Sequence, residues 1–152
     1  MGDRLRRGAA AEDGQTLLLG LGLVTLVVGL VLVISSATAV YLDLKNLTSL
    51  ADSAAAAAAD AVDDPTYFGG QATSGTGMLS DAGVLVLAER DLRSQPVDLA
   101  GVTIVSATAL DGRTAVVTLS ARSRPPFLPW GIIPSEGFMI TATGSARVAT
   151  TQ

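Results

Sequence analysis

Residues 17–34 read LLLGLGLVTLVVGLVLVI, and no charged residue occurs from Thr16 to Leu42. A helix rises about 1.5 Å per residue, so about 20 apolar residues cross a hydrocarbon core of about 30 Å. The run reaches that length unaided. It divides the chain into a charged tail (1–15), a transmembrane helix (16–40), an Ala-rich helical continuation (41–64) and a small domain (65–152). About 110 residues follow the run, enough for one small domain and too few for two.

The flanks predict sidedness. Arg4, Arg6 and Arg7 precede the run, whereas residues 41–60 carry Lys45 as their one cation. Orientation follows the Lys/Arg bias near the span ends. The tail is therefore expected in the cytoplasm and the C-terminal domain outside the cell membrane. Ala37-Thr38-Ala39 has the form of a signal-peptidase site, so release of a secreted binding domain after Ala39 is the alternative. Against it, a signal peptide's apolar region is usually about 7–15 residues. Glu12 and Asp13 also interrupt the basic flank. Cleavage after Gly8, in the prepilin manner, is a further processing route, with Asp13 at the fifth position beyond it.

Composition removes several chemistries. The chain of 152 residues has a net charge of −4 and neither Cys nor His. Disulfides, thiol nucleophiles, His-based triads and Cys/His zinc sites are excluded. Without clustered cations beyond the first seven residues, nucleic acid is not an expected partner. Asp60, Asp63 and Asp64 lack the alternating oxygen ligands of a Ca²⁺ loop. Gly69-Gly70 and Gly75-x-Gly77 lack the Lys and the strand–loop–helix setting of a phosphate loop. Lys45 is the one base available to a Ser-Lys pair, and it falls beside Asp43 just outside the span. No catalytic residue, cofactor, metal or small-molecule substrate is expected.

With no Pro before position 65 and Ala abundant, one helix is expected from about Gln15 to Val62, with a break near Ser35-Ser36 as the variant. Gly22, Gly29 and Ser36 recur every seven residues with Thr25 on their side. Such a small-residue face lets another transmembrane helix approach closely. Farther on, Leu44, Leu47, Ala51, Ala54, Ala55 and Ala58 form an apolar stripe at 3-4 spacing.

The segments EDGQTLLLGLGL, AVYLDLKNL and SLADSAAAAAADAVD (starting at Glu12, Ala39 and Ser49) resemble the TadE/TadG-like family of the Flp (tight-adherence) pilus-assembly system. The likeness is to its short TadG-related forms in high-G+C Gram-positive bacteria. There the pattern reads roughly GQ…D…LQ-AADAAALAAA. The likeness lies around Gln15, Asp43 and Ala51-Asp52-Ser53-Ala54-Ala55, whereas Leu47-Thr48 and Leu50-Ala51-Asp52-Ser53 depart in detail, with Ser53 in place of an Ala. The resemblance covers residues 12–62 well. It implies a membrane-anchored, pilin-like or minor-pilin component, with other Tad/Flp proteins as partners. A membrane-anchored scaffold unrelated to pili is the competing expectation.

Beyond the linker, Ser80 is an N-cap before a helix whose face is Val84, Leu85, Ala88 and Leu92, ended by Pro96. A strand over residues 84–88 is the rival assignment. Residues 101–123 predict a hairpin around Asp111-Gly112, a type I′ turn. Leu110 then faces Arg113, Ile104 faces Leu119, Val102 faces Ala121 and Ser106 faces Val117. A third strand over about 138–149 places Phe138, Ile140, Ala142, Ala146 and Val148 on one face. The fold class is therefore α+β, a long helix packed on a three-stranded antiparallel sheet in pilin-like fashion. Between strands two and three lie Phe127, Leu128, Trp130, Ile132 and Ile133. This apolar loop either folds back over the sheet as core or meets the membrane interface or a neighbouring subunit.

Overall fold

The computed structural model describes residues 3–60, 78–127 and 136–148, with backbone alone over 3–14. Helix α1 spans Asp3–Asp60 without interruption. It begins before Gln15 because the tail, rich in Ala and Arg and lacking Pro, is itself a good helix former. The variant break at Ser35-Ser36 is absent. Thr25 and Thr38 donate to the carbonyls of Leu21 (2.8 Å) and Ile34 (3.0 Å), so these two hydroxyls are satisfied within the helix. Val62 lies outside the described residues.

Helix α2 spans Asp81–Ser94, and the rival strand is not formed. Ser80 is its N-cap, the side chain accepting from the Gly83 amide. The buried face is Val84, Leu87 and Ala88. Leu85, expected on that face, is exposed, and Leu87 takes its place. The rotation follows Asp91, which is drawn toward α1. Asp91 Oδ2 accepts from Ser53 Oγ at 3.1 Å and from Gln95 Nε2 at 2.6 Å, and Gln95 also donates to Ser53 at 2.8 Å.

Strands β1 (Ala100–Leu110), β2 (Thr114–Ser123) and β3 (Phe138–Arg147) form an antiparallel meander in the order β1-β2-β3. Asp111 (φ 56°) and Gly112 (φ 61°) both occupy the left-handed region, as a type I′ turn requires. Arg113 N–H donates to the Leu110 carbonyl at 3.2 Å. Ile104 pairs with Leu119 as expected. The register nearer the turn differs by one, with Leu110 facing Thr114 and Ser106 facing Thr118. Two shifts account for this, one between Ile104 and Ser106 and one between Ala100 and Thr103. Each gives β1 one extra residue, and the second removes the expected Val102–Ala121 pairing. The inward set of β1 is consequently Val102 and Ile104, then Ala107 and Ala109.

In β2, Ala115, Val117, Leu119 and Ala121 point inward, and in β3 Ile140 and Ala142 do. They meet Leu47, Ala51, Ala54, Ala55, Ala58 and Ala59 of α1. Leu44, expected in this stripe, is 39% exposed. Alanines let the helix lie close on the sheet, and the closest approach is at Gly144. A Cβ there would collide with the backbone of Ala51 and Asp52. The core is thus a helix pressed onto β2 and β3, with α2 completing the cover over β1.

Candidate functional site

Among the described residues, one helix is long and apolar enough to cross a membrane, and none of its apolar window is buried. From Leu17 to Ile34 the large side chains face outward on every side. An apolar cylinder without a protein cover has no stable place in water, because each uncovered Leu or Val forgoes about 1.5–3 kcal/mol of burial. The surface is consistent with a lipid bilayer.

The four small residues of the expected packing face separate into two environments. Side chains built on Gly22 and Gly29 would meet nothing within 4 Å. Thr25 is exposed and its hydroxyl is bonded to Leu21. Ser36 is different. It is 1% exposed, covered by the chain itself, and its hydroxyl has no hydrogen-bond partner. Its burial sets it apart from the open surface around Gly22, Thr25 and Gly29. The domain side of α1 starts at Ser36 and continues through half-buried Val40 and Asp43 to buried Leu47, Ala51, Ala54 and Ala58. On that side the uncovered surface stops before Ser36, earlier than the expected span end at 40.

The stripe has a further consequence. Residues seven apart on a helix drift by only about 20°. Gly22, Gly29, Ser36 and Asp43 therefore lie on nearly one line. The open small-residue face of the span points to the same side as the domain.

A hydrogen bond fixes the domain just beyond the span. Ser123 Oγ, fully buried at the end of β2, donates to Asp43 Oδ2 at 2.6 Å. Ser123 pairs with Phe138, while Gly144 packs on Ala51 and Asp52. Strand β2 therefore runs toward the span and β3 away from it. Sequence reasoning marked Asp43 but missed its partner. The signal was present, since Ser123 falls on the odd, inward positions of β2. Ser53 links α1 to α2, its hydroxyl donating to Asp91 and accepting from Gln95.

Of the apolar residues in the β2–β3 connection, Phe127 is 52% exposed and is not core. Leu128, Trp130, Ile132 and Ile133 lie outside the described residues. Elsewhere, Asn46, Ser49, Leu50, Pro96, Val97, Asp98 and Leu99 line an open groove of about 230 Å³, with Asp98 its one ionisable side chain. No family model matches the chain, and no curated protein or solved structure matches it significantly.

Proposed function

We propose that this chain is a single-pass, membrane-anchored, non-enzymatic component of an Flp/Tad-type pilus or related secretion apparatus, pilin-like in build. The observation that carries the proposal is the unbroken α1. One helix presents a bare apolar span and then, without a joint, becomes the backbone of the domain core. A subunit of this form transmits any displacement of its span directly to its domain. The motifs around Gln15, Asp43 and Ala51-Asp52-Ser53-Ala54-Ala55 supply the specific pilus context. Their Asp is the residue that pins the sheet to the helix.

Retention of the span fits the burial of Ser36, which a cut after Ala39 would remove from its cover. The Arg-flanked tail is cytoplasmic in this reading and the α+β domain extracytoplasmic. Partners are the bilayer and other Tad/Flp components. The test is fractionation of sheared surface filaments followed by blotting for the chain, with its deletion strain scored for piliation. Co-fractionation or loss of pili is expected. Normal piliation together with absence from filaments overturns the assignment.

A further inference from the structure

Lys45 is the only lysine of the chain and its one cation between Arg7 and Arg90. It stands two residues before Leu47, which is fully buried against the sheet. At about 100° per residue its side chain leaves α1 on the side away from the core. Asp98 is the one ionisable side chain of the groove between α1 (Asn46, Ser49, Leu50) and the α2–β1 connection. Arg93 pairs with Glu89 and Arg122 with Glu136, whereas Lys45 and Asp98, both exposed, have no partner among the described residues. The groove, about 230 Å³, is smaller than the roughly 300–1,000 Å³ of small-molecule sites and suits one long side chain. Leu50 and Val97 offer apolar surface to a lysine stem, and Asp98, Asn46 and Ser49 offer acceptors to its ammonium head.

The membrane sets the heights. Copies anchored by the same span carry equivalent residues at the same level above the bilayer. Along the helix axis Lys45 lies about 1.5–6 Å from Asn46 and Ser49, so a neighbour's Lys45 stands level with this groove. We infer that Lys45 of a second copy enters the groove and pairs with Asp98. The two surfaces lie on different sides of the chain, so the contact is head-to-tail and copies add in a row instead of closing as a pair. An exposed ion pair is weak by itself. Here the groove walls shield it, and confinement to one bilayer raises the effective concentration of both halves. Asp52, two turns beyond Lys45 on the same side of α1, is about 10 Å away, about a Debye length at 0.1 M salt, and opposes the contact little. This rests on the membrane-anchor reading above.

The full chain is reconstituted in phosphatidylcholine vesicles and floated on a density gradient. It is then treated with a zero-length carbodiimide, which joins an amine to a carboxylate in contact with it. Expected is a ladder of dimers, trimers and longer forms, with Lys45 joined to Asp98 in the digested product. Lys45→Gln and Asp98→Asn should each abolish the ladder when alone. Mixed, they should give a dimer and nothing longer, because each supplies one half of the contact. In chain that floats, a product that stays monomeric, or Lys45 joined to other carboxylates as often as to Asp98, overturns the contact and leaves the anchor standing. Chain that does not float overturns both.

Discussion

At the scale of single residues, two contacts hold the sheet to the helix. Gly144 is small because the α1 backbone occupies the space of its side chain. Gly144→Val must push helix and sheet apart, and overpacking a tight core costs about 1–3 kcal/mol. Gly20→Val meets nothing and is the matched control. Urea titration of the detergent-solubilised chain should show a lower midpoint for Gly144→Val only. Ser123 supplies the hydroxyl for half-buried Asp43. Ser123→Ala leaves that carboxylate short of a donor, and hydrogen bonds to charged groups are worth about 1.5–3 kcal/mol. A loss of that order is expected in the same titration. The double variant with Asp43→Asn should lose less than the sum of the single changes.

At the scale of elements, β1 and α1 each carry a pattern that changes along their length. The apolar set of β1 changes parity, from Val102 and Ile104 to Ala107 and Ala109. The bulge near Val105 absorbs the change. Deleting Val105 restores plain alternation and should leave a folded sheet. Deleting Thr108 turns Ala109 outward and should not. Circular dichroism melts and limited proteolysis distinguish the two. The bulges also protect an uncharged edge strand, and Asp81 caps its Ala109 amide at 2.7 Å. For α1, the open face around Gly22 and Gly29 points to the domain side, so a partner span would lie beneath the domain. If that face packs, Gly29→Leu should weaken self-association or partner capture in the bilayer several-fold, with Leu26→Val as control. Energy transfer between labelled spans in vesicles measures it.

For the whole molecule, the helix is both anchor and core. Residues 36–59 bury one side against the sheet while residues 17–34 bury nothing. A chain beginning at residue 35 should therefore fold and remain in aqueous solution. A chain beginning at residue 61 strips the cover from Val117, Leu119 and Ile140 and should aggregate. Size-exclusion chromatography of the two fragments checks this. Much of the architecture was legible in advance, because apolar periodicity reports elements directly. The span, the N-cap at Ser80, the Asp111-Gly112 turn and the inward positions of β2 and β3 all came from local pattern.

What local pattern could not supply was the placement of one element against another. The bulge keeps the apolar side of β1 turned toward α2 along its length. Leu87 replaces Leu85 because Asp91 is drawn to Ser53, a residue 38 positions away in sequence. Ser36 is buried although its spacing places it with the open small-residue face, and the Asp43–Ser123 bond joins residues 80 apart. The elements, the apolar span and most inward faces were readable from residue order alone, since they follow from apolar spacing at 3.6- and 2-residue periods. Where the bare surface of the span ends on the domain side depends on long-range packing against α1, which no local pattern encodes.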